Sequence, residues 1–373
     1  MALKVLCLLL AMASLAAAKR LVEAEAHDQY QAFREEFGHR RHAEEDSVSY
    51  SQRLELFLQN LAAIDMHNSR QASWRAGLTR FADYTRDEFR ALLGHRRNAN
   101  LGISSARPAV SFLEVKSQKA VQATDWRQKL NFTRRLVHNQ GECGSCWAVA
   151  AAGALEMHAE LAHGFNHSLS FEQLVDCTPN PQHCGGEGGC KGATSQLALK
   201  TAKEHGVTFA EGYKGYTSGG DGTCRDTDQP AIKIDGFVPL PTNQLQPLLD
   251  AIANVGPVAM SVDASDWSFY SSGVFDGCKQ DATVNHAVLL VGFGTDASHQ
   301  KDYWLIRNSW GDKWGEDGYI RLLRHGSDTG DAGWCGTDHD PKQGNACDGG
   351  PATVPVCGMC GCLQDSSYPV GIK

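Results

Sequence analysis

Side chains at helical spacing mark two stretches near the amino end of the chain. Tyr30, Phe33 and Phe37 recur at steps of three and four residues, which predicts a helix over 28–37. A second set recurs at steps of four, three, four and four residues, so its members share one helix face. The members of this second set are Arg53, Phe57, Asn60, Ile64 and Asn68. Because a simple amphipathic helix carries only apolar residues on that face, the mixed stripe is unusual.

Three different patterns follow this helix. Gly77–Asp83 is predicted to be extended, and Thr85–Glu88 matches a capping box that opens a short helix ending at Gly94. Residues 95–120 show no periodicity and contain glycine, proline and several serines. We therefore expect an exposed tether there, which is a natural site for proteolytic cleavage.

Composition shifts near residue 121, where cysteine, glycine and tryptophan become more frequent. Residues 121–233 are predicted to be mainly helical, and the Ala-rich run Ala148–Ala162 is typical of a helix. From residue 234 onward strands dominate. The predicted strands include Val258–Val262, His286–Phe293, Tyr303–Arg307 and Tyr319–Leu323. Helices followed by strands indicate two packed lobes, with a functional site between them.

Chain length, net charge and the first 18 residues limit the classes of protein to which this chain can belong. A chain of 373 residues supports two or three folding units, and a net charge of −8 without a basic patch argues against nucleic-acid binding. Met1–Ala18 has the positive start, apolar core and small-residue end of a secretory signal, with an uncleaved anchor as the alternative. No later run has membrane-spanning length, so we expect a soluble mature protein. Two glycosylation sequons, at Asn131 and Asn166, fit the secretory route.

The cysteine content also fits export. Of the 13 cysteines, Cys7 would leave with the signal, and an oxidising compartment would place most of the others in disulfides. If Cys146 is a nucleophile outside these disulfides, an odd number of cysteines remains. One further thiol would then be unpaired, or bonded to another molecule.

The segment Gln140–Trp147 carries the first candidate chemistry. Cys146 directly precedes the Ala-rich helix, and the positive end of a helix dipole favours the thiolate, which is the nucleophilic form. Gln140 lies six residues upstream and can supply an amide donor. The alternative for Cys146 is one more disulfide.

A thiolate nucleophile needs a base and a group that orients the base. His286 opens a predicted strand and is the candidate base, while Asn308 can accept its imidazole N–H. Trp310 could shield that hydrogen bond from water. Gln140 and the backbone N–H of Cys146 would form an oxyanion hole. Taken singly, His286 could be a core histidine and Asn308 a turn residue, but their joint occurrence favours catalysis.

These residues resemble the papain family of cysteine peptidases, in its cathepsin L-like branch. The similarity rests on the signature Cys143–Trp147, followed by a histidine 140 residues and an asparagine 162 residues after Cys146. Asp125–Arg127 resembles the start of the family's mature enzymes. Gly318–Arg321 and Ser367–Val370 resemble its closing strands.

The upstream stripe from Arg53 to Asn68 resembles the inhibitory pro-segment helix of the same family. Two positions depart from the family pattern, because Ser49 stands where a glutamate is usual and Thr79 where an asparagine is common. These departures bear on how tightly the pro-segment binds the peptidase domain, and they leave its assignment as a pro-segment unchanged.

The resemblance implies an α+β chain with a papain-like two-lobed fold, in which a helical lobe and a β-barrel-like lobe follow a helical pro-domain. It divides the chain into a signal peptide over 1–18, an inhibitory pro-segment over 19–120 and a peptidase domain over 121–373. Within that domain the helical lobe would span about 121–233 and the β lobe about 234–373. The implied function is a secreted or lysosomal-type cysteine endopeptidase zymogen, which is activated by removal of the pro-segment. Endopeptidase action is favoured because no loop that blocks the cleft in family exopeptidases is recognisable.

The expected partners are polypeptide substrates and the chain's own pro-segment, acting as an intramolecular inhibitor. We expect a monomer without cofactor, metal, nucleic-acid partner or membrane partner. It would pass through the secretory pathway to a lysosome- or vacuole-like acidic compartment or to the outside of the cell. The rival hypotheses are an inactive homologue, a cysteine-rich binding protein on the same fold and a pro-segment that inhibits other proteases.

The resemblance also implies three disulfides, which are Cys143–Cys190, Cys177–Cys224 and Cys278–Cys360. Two more disulfides and one thiol would use the remaining cysteines, in a pairing that the sequence does not choose. These are Cys184, Cys335, Cys347, Cys357 and Cys362. A zinc site in Cys357–Cys362 is the alternative. Gly336–Pro355, longer than the family norm, is predicted to be a surface loop of unknown purpose.

The resemblance further implies a specificity pocket for the substrate residue two before the cut, with Trp310 also at the substrate site. The positions that match its lining are Thr194, Ser195, Ser261, Asn285, Ala287 and Asp365. Asp365 would lie at the pocket floor, where a carboxylate can pair with a guanidinium. We therefore expect tolerance of arginine beside aliphatic or aromatic residues. The alternative for Asp365 is a solvated loop carboxylate.

Overall fold

The computed structural model describes residues 24–37, 48–94, 123–213, 222–225, 229–325 and 333–373. The predicted signal and the predicted tether over 95–120 lie outside these residues. None of the described helices is long and apolar enough to cross a membrane.

Three helices and one strand form the amino-terminal unit. These are α1 over 24–37, α2 at Tyr50–Asn68, β1 at Trp74–Ala76 and α3 at Arg86–Leu92. The predicted helix over 28–37 lies within α1. Ser49 caps α2, and Thr85 caps α3 through the predicted capping box with Glu88. The capping side chains satisfy backbone N–H groups that the first turn leaves without helical partners.

The mixed stripe on α2 binds the backbone of the segment that follows it. Arg53 donates to the carbonyl of Asp83 at 2.9 Å, and Asn60 donates to that of Ala82 at 2.8 Å. Asn68 both donates to and accepts from the backbone of Ala76, at 2.8 and 3.0 Å. The polar positions therefore provide hydrogen-bond partners for backbone groups of Ala76, Ala82 and Asp83.

The prediction of an extended Gly77–Asp83 is wrong in part. The strand β1 ends at Ala76, and residues 80–83 form a turn. Side chains from α2 bind the carbonyl groups of Ala82 and Asp83 in this turn, after which the chain enters α3.

The larger unit combines four helices with ten strands among the described residues. Its helices are α4 at Cys146–His163, α5 at Phe171–Cys177, α6 at Ser195–Glu204 and α7 at Leu245–Asn254. Its strands are β2 at Thr124–Asp125, β3 at Ile234–Pro239, β4 at Val258–Val262, β5 at Tyr270–Phe275, β6 at His286–Asp296, β7 at Lys301–Arg307, β8 at Tyr319–Leu323, β9 at Cys335–Asp338, β10 at Val354–Cys357 and β11 at Ser366–Ile372. All four predicted strands are observed.

Nine of the eleven described strands form one open sheet in the order β1-β5-β8-β7-β6-β4-β11-β3, with β2 also paired to β6. The two-lobed α+β architecture is as expected, but the sheet does not close into a barrel within the described residues. Its edge strands are β1, from the amino-terminal unit, and β3. Thr124 and Asp125 pair with β6, so the start of the region assigned to the helical lobe belongs to the sheet. The buried helix α4 packs against β6 and places its first residue beside the start of that strand.

The structure contains the three disulfides that the resemblance implies and two more, Cys184–Cys347 and Cys335–Cys357. Cys362 is buried and takes no part in these five disulfides. Since Cys357 and Cys360 are both in disulfides, the zinc alternative for this segment is excluded. The two ends of the predicted surface loop 336–355 pair as β9 and β10 in a separate two-stranded sheet, and residues 339–353 form a long connection without strands between them.

Candidate active site

Cys146 and His286 come together where α4 meets β6. Cys146 is the first residue of α4 and is fully buried, and His286 is the first residue of β6 and is equally buried. The backbone N–H of Ala287, the residue after His286, donates to Cys146 Sγ at 3.3 Å. The candidate nucleophile therefore lies against the start of the strand that carries the candidate base, between the helical lobe and the sheet.

Asn308 holds the His286 ring. The distance between His286 Nε2 and Asn308 Oδ1 is 2.8 Å, and the same oxygen accepts the backbone N–H of Ser309 at 2.8 Å. Because the amide oxygen is an acceptor, this arrangement assigns the hydrogen to His286 Nε2. Trp310 is buried and lies beside the ring, with 4.9 Å between the two ring centroids. Its indole therefore packs next to this hydrogen bond, where the sequence predicts that it shields the bond from water.

Gln140 presents its side-chain amide beside the thiol. Its Nε2 donates to the carbonyl of Cys143 at 2.8 Å and to that of Leu92 at 2.7 Å. Its Oε1 accepts the Ser309 hydroxyl at 2.5 Å, and its backbone N–H donates to the Ser309 carbonyl at 2.9 Å. Ser309 and the Cys143 carbonyl therefore fix the amide, and its other N–H points at the Leu92 carbonyl of the amino-terminal unit.

Sequence reasoning missed Ser309. Its neighbour Asn308 orients the histidine, while Ser309 itself fixes Gln140. Ser309 directly follows Asn308, and this adjacency was the only available signal. The short segment Asn308–Trp310 thus organises the base, the amide donor and the cover over the base.

The amino-terminal unit covers the thiol. Leu92 and Leu93 are buried, and a methyl group added to Gly94 would lie 2.5 Å from the Gly144 carbonyl oxygen and 2.6 Å from Cys146 Sγ. The sequence predicts that Gly94 ends α3, but the helix ends at Leu92, with Leu93 as an extended C-cap. Position 94 needs glycine because its backbone lies against the sulfur, where no side chain fits.

Burial raises the pKa of Cys146 from its ordinary 9.0 to about 11, against the lowering effect of N–H groups from Ala287 and Gly94. The expected thiolate is therefore disfavoured while the amino-terminal unit covers the site. Desolvation of the charged form outweighs the helix dipole and the hydrogen bonds in this state.

Aromatic and polar contacts extend this cover. Phe81 and Phe89 meet the Trp310 ring edge to face at 5.0 and 5.4 Å. Tyr84 donates to a Glu142 carboxylate oxygen at 2.5 Å, and Arg80 donates to the carbonyl of Gly141 at 3.0 Å. Trp310, predicted at the substrate site, thus contacts the amino-terminal unit in this structure.

Three of the predicted pocket residues are brought together. Ser261 on β4 is paired with Ala287 on β6, and its hydroxyl donates to Asp365 Oδ2 at 2.9 Å. The other carboxylate oxygen accepts from Gln196 at 2.7 Å. Asp365 is only 8% exposed, which excludes the solvated alternative. Gln196 was missed, although it directly follows the predicted Ser195.

The other predicted pocket residues bind neighbouring segments. Thr194 occupies the N-cap position of α6 without a side-chain capping bond and is half-buried. The buried Ser195 donates to the carbonyl of Trp147 at 3.0 Å. Asn285 hydrogen-bonds the loop 263–265, through the Ala264 N–H and the side chains of Asp263 and Ser265.

Both predicted glycosylation sites, Asn131 and Asn166, are exposed. No group of three or more histidine, cysteine or acidic side chains suited to a metal ion occurs in the ranges that the structure describes.

Comparison with known proteins defines the class to which this geometry belongs. Residues 120–344 match the papain family cysteine protease model, and residues 29–89 match the cathepsin propeptide inhibitor domain. The chain therefore belongs to the papain family of cysteine proteases, and its amino-terminal unit is a propeptide inhibitor domain.

Individual relatives place it in the cathepsin L-like branch. Cysteine proteinase RD21A of Arabidopsis thaliana is 34% identical over 326 residues, which are 86% of this chain and 66% of that protein. Procathepsin L of Mus musculus is 36% identical over 277 residues, or 71% of this chain and 78% of that protein. The chain thus spans slightly less than two thirds of the plant relative.

A solved structure shows the same fold with its propeptide. The digestive procathepsin L 3 of the Tenebrio molitor larval midgut is 28% identical, with a TM-score of 0.68. The match covers 92% of this chain and 99% of that chain.

Proposed function

We propose that this chain is the zymogen of a cysteine endopeptidase with Cys146 as nucleophile and His286 as acid and base. In this proposal Asn308 orients His286, and Gln140 with the backbone N–H of Cys146 forms the oxyanion hole. One observation carries the assignment, because Gln140 already donates to a peptide carbonyl, that of Leu92, at 2.7 Å. The next residues of that peptide lie directly on the thiol.

Once the pro-segment leaves, Cys146 and His286 can exist as a thiolate and an imidazolium. The thiolate attacks the carbonyl carbon of the scissile bond, and the resulting oxyanion accepts hydrogen bonds from Gln140 and from the Cys146 N–H. The imidazolium gives its proton to the leaving amine, which departs and leaves a thioester on Cys146. His286 then takes a proton from water, whose oxygen attacks the thioester and regenerates the thiolate.

The pro-segment, assigned to residues 19–120, inhibits its own peptidase domain in this proposal. Its Leu92 carbonyl occupies the oxyanion donor, Gly94 covers the sulfur and its aromatic residues cover Trp310. Two contacts across the boundary use carboxylates, since Tyr84 donates to Glu142 and Ser73 donates to Asp276 at 2.8 Å. In this proposal acid loosens the pro-segment, which fits activation in an acidic compartment of the secretory route.

The substrates in this proposal are extended polypeptides, and Asp365 lies at the floor of the main specificity pocket. A guanidinium entering this pocket would displace or share the hydrogen bonds that Gln196 and Ser261 now make to the carboxylate. Arginine is therefore accepted there beside aliphatic and aromatic residues. Asn131 and Asn166 are the proposed glycosylation sites, and the processed enzyme acts as a monomer without a cofactor.

One assay tests the function. The purified chain is incubated at acid pH with a thiol reductant, and hydrolysis of a Phe-Arg peptide is followed with and without a thiol-alkylating agent. We expect activity to accompany loss of the pro-segment and to be abolished by alkylation. A Cys146→Ser protein should neither process itself nor cleave the peptide. Self-processing by pure Cys146→Ser protein would overturn the assignment.

A further inference from the structure

A disulfide-bonded segment joins the two lobes beside the specificity pocket. It comprises residues 344–348, between β9 and β10, and is called the strap below. Cys347 in the strap is bonded to Cys184 of the helical lobe, 163 residues away in the sequence. The catalytic assignment above uses none of these residues.

On the β side, the strap lies against the segment that leads into His286. A methyl group on Gly344 would clash with the carbonyl oxygen of Val284, two residues before His286, so the two backbones are in direct contact. The buried Asn345 donates to Gln364 at 2.6 Å. Gln364 directly precedes Asp365, so this end of the strap is fixed beside the pocket floor.

On the helical side, the strap is fixed by more than the disulfide. Gly185 N–H donates to the carbonyl of Ala346 at 3.1 Å, and Asp348 N–H donates to that of Gln182 at 2.8 Å. The Asp348 carboxylate also lies 2.8 Å from His183 Nδ1. These contacts on both sides give the strap a fixed path between the lobes.

The substrate groove leads toward this path. The pro-segment places Leu92 at Gln140 and Gly94 at Cys146. A methyl group on Gly192 would clash with the carbonyl oxygens of both Gly94 and Gly185. Gly192 therefore lies between the segment that covers the sulfur and the segment that binds the strap.

We propose that the strap closes the groove beyond the specificity pocket and so limits which substrate residues contribute to binding. Contacts on the amino-terminal side of the cut are confined to about the first three residues, and residues further out leave the groove over the strap. The enzyme remains an endopeptidase, because a longer chain can still exit. This inference rests on the proposed peptidase function and adds a specificity-determining segment to it.

The test is a series of peptide substrates with two, three, four and five residues before the cut, sharing the same residues next to the scissile bond. For the processed enzyme, we expect kcat/KM to rise up to the third residue and then to change by less than about twofold, since remote binding energy is used only where contacts exist. Steady increases through the fourth and fifth residues would overturn the proposal. This measurement uses the processed enzyme without any substitution.

Removing the disulfide between the lobes should extend the part of the groove that binds substrate residues before the cut. In Cys184→Ser/Cys347→Ser, we expect the four- and five-residue peptides to gain at least about threefold in kcat/KM over the three-residue peptide. The matched control is Cys335→Ser/Cys357→Ser, which removes the disulfide between β9 and β10 and should keep the original length profile. Equal profiles in all three enzymes, or a gain in the control as well, would show that the strap does not set the limit.

The two proposals fail in different ways. If the shortest peptide is cleaved by the processed enzyme and not by Cys146→Ser, the peptidase function stands whatever the length profile. If no peptide is cleaved, the function itself is wrong.

Discussion

The Leu92 carbonyl oxygen lies 2.7 Å from Gln140 Nε2, so a main-chain carbonyl of the inhibitor domain occupies the amide donor of the site. The same segment continues across Cys146 Sγ through Gly94. Under the proposed function, inhibition thus involves the oxyanion donor as well as simple coverage of the sulfur.

Gln140→Ala should lower kcat of the processed enzyme by roughly 100- to 1,000-fold with a smaller change in KM, because an oxyanion donor acts mainly in the transition state. Steady-state kinetics on a Phe-Arg peptide would measure this. Ser309→Ala removes only the hydroxyl that holds Gln140 and should cause a smaller loss of kcat. A Gln140→Ala enzyme with unchanged kcat would exclude the oxyanion role.

Arg53→Met should destabilise the pro-segment, because Arg53 forms two short hydrogen bonds with Glu88 and one with the Asp83 carbonyl. We expect a loss of about 2 kcal/mol in the free energy of unfolding, which allows for the 30% exposure of Glu88. Denaturant unfolding of the Cys146→Ser zymogen would measure it.

The matched control is Arg90→Met, since the Arg90 side chain on α3 is 66% exposed. Its effect should stay within about 0.5 kcal/mol. If both variants lost the same free energy of unfolding, the Arg53–Glu88 pair would not be a particular source of stability.

Alkylation of Cys146 in the zymogen should be slow at neutral pH and accelerate as pH rises toward about 11, the raised pKa of the covered thiol. The raised pKa of the thiol also determines how the stability of the covered state changes with pH. Relative to the unfolded chain, whose thiol has the ordinary pKa of 9.0, the covered state keeps its full stability below that pH and loses stability as the pH rises from there through about 11.

Mass spectrometry after timed iodoacetamide treatment would locate the modified thiol and distinguish Cys146 from Cys362. Rapid labelling of Cys146 at pH 6 in an unprocessed chain would contradict both the cover and the raised pKa.

Asp365→Ser should reduce kcat/KM for an Arg-Arg peptide by about 10-fold or more relative to a Phe-Arg peptide, because a charge-assisted hydrogen bond is lost. Gln196→Ala should shift the preference the other way, since it removes a competing donor from the carboxylate. Asp235→Ser, which changes an exposed carboxylate on β3, is the control and should change neither rate. Equal effects of Asp365→Ser on both peptides would refute the pocket assignment.

Local patterns were sufficient for much of the fold. The helical spacing of α1 and α2, the Ala-rich run of α4 and the capping box of α3 all depend on neighbours within a few residues, so the chain itself displays them. The candidate nucleophile, base and orienting amide were also recognisable, because each lies in a short segment with a distinctive order of residues.

Contacts between distant segments were decided only by the tertiary structure. Gln196 and Asp365 lie 169 residues apart in the chain, and Cys184 and Cys347 lie 163 apart, so no local pattern links them. The protonation of Cys146 depends in the same way on burial by a segment from another domain. The sequence by itself determined which groups were available for chemistry, whereas the packing of distant backbones determined which groups meet and how much water reaches them.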